Sequence, residues 1–464
     1  MDYNTDWIMS LSYRLKQLLL PALPGPLLCL LLCLHATNVK AQTPVPPPED
    51  SVTSVVWSLQ DCLNYAARYN INLNSLRLTK LSSEQDLILS RAAKLPNLNA
   101  TVGQNFTGGK NVNESYVLSA SGNYSINSNV TLYNGGFLNK DIQQKNLLLQ
   151  VADLNVTAQM NDITLLITQA YLSILLAKEN IVYVKDVVTT SEAQVKQAQQ
   201  QYDVGSLALV GLVQLQAQLA NDKYLLVTAE NTRRQNLLTL KQILQLPTGK
   251  PFDIISPDTL IGAGMLTPVQ EAQQQAFDTR PEIKAGNVGV DVAKLDLAKA
   301  KTGYLPVLTA GGALASNYAT GLNNAYLKQL DNNFYQQIGL TLSVPIFTRK
   351  VNKTNVEKAK IEVDQSDLSL QNTKVNLSQT VEQAYINVLN AQSQYDAAVE
   401  QYKYNQESYR IANETLKIGA ANIVQYLQQK NLYIQALQAY IQAKYNAALT
   451  IRIYDFYRGV PVKL

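Results

Sequence analysis

Two periodicities alternate along this chain and replace each other abruptly. From Trp57 to about Lys94, and again from Thr267 to about Tyr304, apolar residues return every three to four positions, the spacing of a helix with one buried face. Ser58 is placed to cap the first of these helices. Thr267 caps the second, with Pro268 at the first helical position. Pro96 and Pro306 end them. The period then falls to two. Tyr116, Leu118, Ala120, Gly122, Tyr124, Ile126, Val130 and Leu132 occupy even positions, and Ser119, Ser121, Asn123, Ser125, Asn127, Asn129 and Thr131 lie between them. Leu98, Ala100, Val102 and Phe106 follow the same rule, as do Leu308, Ala310 and Leu314, and then Ile338, Leu340, Leu342, Val344 and Ile346. These runs predict four long strands, two in each half.

After each pair of strands the helical period returns, now at seven residues. Ile163, Ile167, Ala170, Ile174, Ala177, Ile181, Val184 and Val188 form one seam within a helix predicted over about 134–203. Leu377, Val381, Ala384, Val388, Ala391, Tyr395, Ala398 and Tyr402 form the other, over about 348–417. At 1.5 Å per residue either helix reaches roughly 100 Å, and a strict heptad implies helices wound together. Gly205 and Gly419 stop them in positions suited to a left-handed C-cap, and partner helices return to about Gln245 and Tyr457.

The pattern repeats because the sequence does. Gln169-Ala170-Tyr171-Leu172 recurs as Gln383-Ala384-Tyr385-Ile386, an offset of 214 residues that also joins Val130 to Val344 and Gly205 to Gly419. Upstream the offset is 210, joining Leu95-Pro96 to Leu305-Pro306. The expected organisation is a signal peptide (1–41), a Pro-rich linker (42–56), a first repeat (57–245), a linker with a short extended piece (246–266), a second repeat (267–457) and a tail (458–464).

The leader carries Arg14 and Lys16 before the apolar run Leu27–Leu34, and Val39-Lys40-Ala41 offers a cleavage site. Met1 and Met9 are both possible starts, and lipidation at Cys33 is disfavoured by Leu32. Removing the leader removes the sole histidine, His35, and two of the three cysteines. Histidine triads, His-ligated zinc and haem are thereby excluded. Cys62 lies on an apolar helical face opposite Ala272 of the second repeat, a packing position. Of 39 basic and 35 acidic residues, three and two lie in the leader. The near-balance leaves no nucleic-acid footprint. No catalytic constellation, cofactor motif or metal cluster emerges, so an enzyme is not expected.

The strands carry a different message. Their apolar face is broad, and their polar face is small, uncharged and rich in Asn and Ser. An outward lipid face and a water-filled lumen account for both, placing Leu118, Tyr124, Ile126, Ile338, Leu340 and Leu342 toward lipid. Four strands cannot close a barrel, and an open edge is not tolerated in lipid, so other copies of the chain must supply the missing strands.

Helix, strand pair, very long helix, glycine turn and returning helix, all duplicated, resembles the TolC-like outer-membrane efflux family over essentially the whole mature chain. The tokens are Leu95-Pro96 and Leu305-Pro306, Val344-Pro345-Ile346-Phe347 with its counterpart Leu132-Tyr133-Asn134-Gly135-Gly136, and Val204-Gly205 with Ile418-Gly419. The resemblance implies a mixed α/β membrane protein with an internal two-fold repeat. Three copies would form a trimeric 12-stranded outer-membrane β-barrel, continued by a long α-helical periplasmic barrel. It implies a passive exit duct for efflux or type I secretion, opened when a periplasmic adaptor (membrane fusion) protein and an inner-membrane transporter of RND, ABC or MFS type dock. It places the adaptor-docking tip at Val204, Gly205, Ser206, Leu207, Ile418, Gly419 and Ala420, and the periplasmic mouth at Gly211, Gln214, Gln425 and Gln428.

The chain departs from that family's pattern at the mouth. Two aspartate rings expected six and nine residues past the second tip glycine are Gln425 and Gln428, and the closing latch positions fall on Leu416, Ala421 and Gly211. Two other classes compete: a periplasmic adaptor, and a structural coiled-coil protein of the envelope. An adaptor would show one hairpin rather than two in register, and neither rival explains the alternating strands.

Overall fold

The computed structural model describes residues 56–110, 116–247, 249–256, 266–320, 325–418, 420 and 422–461, with backbone alone at 110 and 116–118. The leader with Cys33, Gly419, Ala421 and the Leu118 side chain therefore lie outside the description.

Each repeat opens with two helices where one was expected. α1 (Leu59–Tyr69) and α2 (Ile71–Ala92) meet at Asn70, whose side chain accepts from Leu73 N and caps α2. In the second repeat α5 (Val269–Thr279) and α6 (Pro281–Thr302) meet at Arg280, because Pro281 disfavours helical backbone at the residue before it. Ser58 caps α1 as expected, in a reciprocal box with Asp61. Pro268, rather than Thr267, occupies the N-cap of α5, and no side chain bonds there. Cys62 is fully buried, which pushes its thiol up to about 12.

The strands β2 (Asn99–Lys110), β3 (Tyr116–Asn134), β5 (Val307–Ala319) and β6 (Tyr335–Ser343) form one antiparallel sheet in the order β2-β3-β5-β6. Cross-strand partners share a face, and the register joins Ile126 to Leu314, Ala310 to Leu340 and Leu308 to Leu342. The other face joins Thr101 to Ser125 and Thr309 to Thr341. Near the end of β3 the even series breaks. Thr131 pairs with Thr309 but Tyr133 pairs with Leu308, so Leu132 is the extra residue of a bulge and Tyr133 takes its place on the apolar face. β6 also stops at Ser343, short of Val344 and Ile346. A helix absent from the sequence reading, α7 (Tyr326–Asn332), covers the end of β5 where β6 no longer pairs. Gln329 accepts from Ala319 N, and Asn333 donates to Asn317 O.

The long helices are α3 (Phe137–Asp203) and α8 (Val351–Lys417), 67 residues each, with returns α4 (Leu209–Leu244) and α9 (Ile423–Tyr457). Both heptad seams lie inward; only Ile181, Tyr395 and Tyr402 among them are half-exposed. α3 packs on α2, α4 and α6, while α6 also packs on α8, so α2 and α8 are the two outer helices of that layer. Midway along, β1 (Val56–Trp57) pairs in parallel with β4 (Asp253–Ile254). The short extended piece of the linker thus ties back to the first repeat. Trp57 is buried there against Tyr65 and Phe252, and Lys178 and Arg233 both pair with Asp253.

Candidate functional site

The tip is built by chain termination. Gly205 adopts φ +76°, its N–H donates to Tyr202 O at 2.9 Å, and Ser206 N reaches Gln201 O at 2.8 Å. These two bonds satisfy carbonyls left free at the end of α3 and make a Schellman motif. In the second repeat Ala420 N makes the same backward bond to Thr415 O at 2.9 Å. Val204 and Ile418, 79% and 78% exposed, project from the two turns, joined by exposed Leu209, Val210 and Val424. Leu207 and Ile423 do not join that surface. They turn inward onto a cluster of Ala198, Leu212, Leu215, Ala412 and Tyr426, drawn from all four long helices.

Of the four mouth positions, Gln425 and Gln428 are exposed and Gln214 is half-buried. Gly211 is buried, and a Cβ there would lie 2.5 Å from Ile423 Cδ1, so its small size lets the two hairpins pack together.

About three to four helical turns above the tip lies a cluster that the sequence reading missed. Lys430 of α9 pairs with Asp222 of α4 at 2.7 Å, with the two side chains 2% and 0% exposed. Ser191 of α3 donates to Asp222 at 2.5 Å and also accepts from Lys430, while Gln218 donates to the second Asp222 oxygen at 2.9 Å. Burial lowers the Lys430 ammonium below the ordinary lysine range, against the upward pull of Asp222. The pair joins the first hairpin to the second, as do Gln218 with Asn431 and Lys444 with Glu179. A signal was present: Leu215, Asp222 and Ala229 are spaced by seven, and Lys430, Ile434, Leu437 and Ile441 by four and three. Opposite charges therefore sit on two seams.

The second hairpin carries a ladder of six tyrosines. Tyr395, Tyr402 and Tyr409 of α8 alternate with Tyr440, Tyr433 and Tyr426 of α9, with ring centroids 5.0 to 6.0 Å apart. Opposed phenols are hydrogen-bonded, Tyr409 to Tyr426 at 3.2 Å. Sequence periodicity reached Tyr395 and Tyr402 but not their partners.

At the barrel end, Ile126, Ile338, Leu340 and Leu342 are exposed on the shared apolar face. Tyr124 is on that face too, but it stacks on Tyr318 and its hydroxyl meets that of Tyr326 at 3.1 Å. Among the described residues no group of His, Cys, Asp or Glu is arranged to hold a metal.

The profile described as "Outer membrane efflux protein" matches residues 65–245 and 272–451, one match per repeat. The chain is 27% identical over 359 residues to the outer membrane protein TolC of Vibrio cholerae, covering 75% of this chain and 76% of that one. Among solved structures it resembles a membrane protein from Pseudomonas aeruginosa, with a TM-score of 0.73 at 15% identity, covering 90% of this chain and 99% of that one. The CmeC outer membrane channel of Campylobacter jejuni is similar at TM-score 0.73 and 16% identity, with 90% and 94% covered. Likeness at these identities establishes the fold.

Proposed function

Because this chain belongs to the outer membrane efflux protein family, we propose that three copies of it close into one continuous duct, whose hairpin tips receive the adaptor. The protein is an outer-membrane channel with a large periplasmic portion. It serves as the passive exit duct of a tripartite efflux system with a periplasmic adaptor and an inner-membrane pump, and it is not an enzyme. The adaptor alternative does not fit a chain with two hairpins in register and a four-stranded sheet.

One observation carries the trimer: the same protomer ends unsatisfied on both sides, in both layers. β2 and β6 are edge strands of the sheet, and α2 and α8 are the outer helices below it. α2 exposes Ile71, Leu78, Leu81 and Ile88, and α8 exposes Ile361, Leu368 and Val375, apolar stripes at heptad spacing. Head-to-tail pairing of unlike edges makes a ring, and three copies bring four strands each to a closed barrel of twelve. Detergent-extracted outer membranes should contain a heat-labile species of three chain masses; recovery as a soluble periplasmic monomer overturns the assembly.

The docking surface is the exposed set Val204, Gly205, Ser206, Ile418 and Ala420, together with Gly419 of the second turn, which lies outside the described residues, and with Leu207 supporting it from beneath. Gln425 and Gln428 line the mouth with amides. The pump is of the RND, ABC or MFS type. Glutamate at Ser206 and Ala420 should abolish transport with trimer level and location intact; unchanged transport removes the docking assignment.

A further inference from the structure

The two strand-to-helix exits are duplicates in backbone but not in side chain. Gly135 and Gly136 lead into α3 with φ +64° and +81°. At the matching positions of the second repeat, Arg349 and Lys350 adopt φ +48° and +68°. The turns close alike, with Lys140 N on Gly136 O at 3.1 Å and Thr354 N on Lys350 O at 2.9 Å. Left-handed backbone is free for glycine and strained for any residue with a Cβ. The second exit therefore keeps two basic side chains where its own copy shows that glycine suffices.

A second local rule is broken at the same place. Arg349, Lys350 and Lys353 crowd the start of α8, whose first turn has no acidic residue, although the helix dipole disfavours cations there. Among the described residues no carboxylate pairs with Arg349, Lys350 or Lys353. Asn352 donates to Gly303 O, which brings exposed Lys301, at the end of α6, beside the same turn. Four positive charges are thus gathered with no carboxylate paired to any of them among the described residues.

Their height along the molecule identifies the partner. Beyond the end of β6 the apolar parity of Ile338, Leu340 and Leu342 continues along the sequence into Val344 and Ile346, and Ile346 and Phe347 are 94% and 83% exposed. The nine residues of β6, at about 3.3 Å each and tilted about 40°, cross roughly 23 Å, close to the apolar band of an outer-membrane barrel. The basic turn follows directly, at headgroup depth on the helical, periplasmic side. We infer that Arg349 and Lys350, with Lys353 and Lys301, form a binding site for an anionic phospholipid headgroup of the outer membrane's periplasmic leaflet. The site occurs once per chain, and Ile346 and Phe347 sit at the acyl boundary. Arginine takes a phosphodiester bidentately and the lysines add point charge. The inference rests on the outer-membrane reading, but not on the number of copies in the ring.

The test is native mass spectrometry of the purified full-length protein in detergent, titrated with phosphatidylglycerol and with phosphatidylcholine of the same acyl chains. Each basic residue near an anionic surface raises affinity about fivefold, so phosphatidylglycerol should be retained about tenfold or more over phosphatidylcholine. That preference should fall as salt rises. R349G/K350G, which copies the first exit and relieves the strain, should keep or raise thermal stability and reduce the preference to less than about twofold. R349Q/K350Q, which keeps side-chain bulk, should lose the preference as well. Retention of the preference in both variants, or none in the unmodified protein, overturns the site. Mass resolves monomer from trimer in the same spectra, so failure of assembly and failure of lipid binding are read separately.

Discussion

The two helical hairpins come from one duplicated pattern and are used differently. α3 and α8 have the same length and the same buried heptad seam, yet α3 has sixteen buried residues and α8 eight. The excess lies on a second face. Leu172 and Leu175 are each 2% exposed, whereas their duplicates Ile386 and Leu389 are 42% and 45% exposed. α3 is enclosed by α2, α4 and α6 and touched by α9, while α8 lies at the edge. A repeat that conserves an apolar face without covering it marks a surface meant for another copy. The seams differ as well. Ile181, Val188, Val195 and Leu212 of the first hairpin correspond to Tyr395, Tyr402, Tyr409 and Tyr426 of the second. Aliphatic side chains fill space, whereas stacked phenols also need partners at fixed positions, which sets the register of α8 on α9.

The strongest challenge to this comparison is the contact between the hairpins. Lys430→Met should leave Asp222 buried and unpaired and cost about 3–5 kcal/mol, while Lys430→Met with Asp222→Leu should recover most of it. Denaturant unfolding of the three proteins measures both; equal losses in single and double variants would mean that the pair does not tie the hairpins. Next come the duplicated leucines. Leu175→Ala should destabilise the unassembled chain by about 2–5 kcal/mol. Leu389→Ala should cost it less than about 1 kcal/mol but weaken oligomer association measurably in sedimentation. Similar chain stabilities for the two would erase the distinction between an enclosed and an edge helix.

The tyrosine ladder should give a smaller effect. Tyr409→Phe removes the hydroxyl facing buried Tyr426 and should lower local stability by about 0.5–1.5 kcal/mol, seen as faster amide exchange in α8 and α9 but not in α3. The least change in stability is expected at the mouth, where the readout is conductance. Gly211 and Gln214 are the duplicates of Gln425 and Gln428. Gln425→Asp with Gln428→Asp should convert a weakly cation-selective channel into one blocked by multivalent cations from the periplasmic side. Gly211→Asp should instead disturb packing on Ile423 and lower assembly yield. Strong cation selectivity before substitution would show that another carboxylate ring lines the constriction.

What the sequence determined by itself is whatever rests on periodicity and duplication: strands of period two, seams of period seven, the left-handed C-cap at Gly205 and the buried Cys62. These are local rules, and two copies of each allowed one to check the other. Tertiary structure decided the rest. The bulge at Leu132 and the helix α7 depend on how neighbouring strands meet, which no single segment's pattern encodes. The burial of Gly211 and Leu207 and the meeting of Lys430, Asp222 and Ser191 join residues up to 239 positions apart. A charge on a heptad seam shows in sequence only as an exception. Whether it is an error, a lumen residue or half of a buried pair is set by what the facing helix places opposite it, because the cost of burying a charge is offset only by a partner at contact distance.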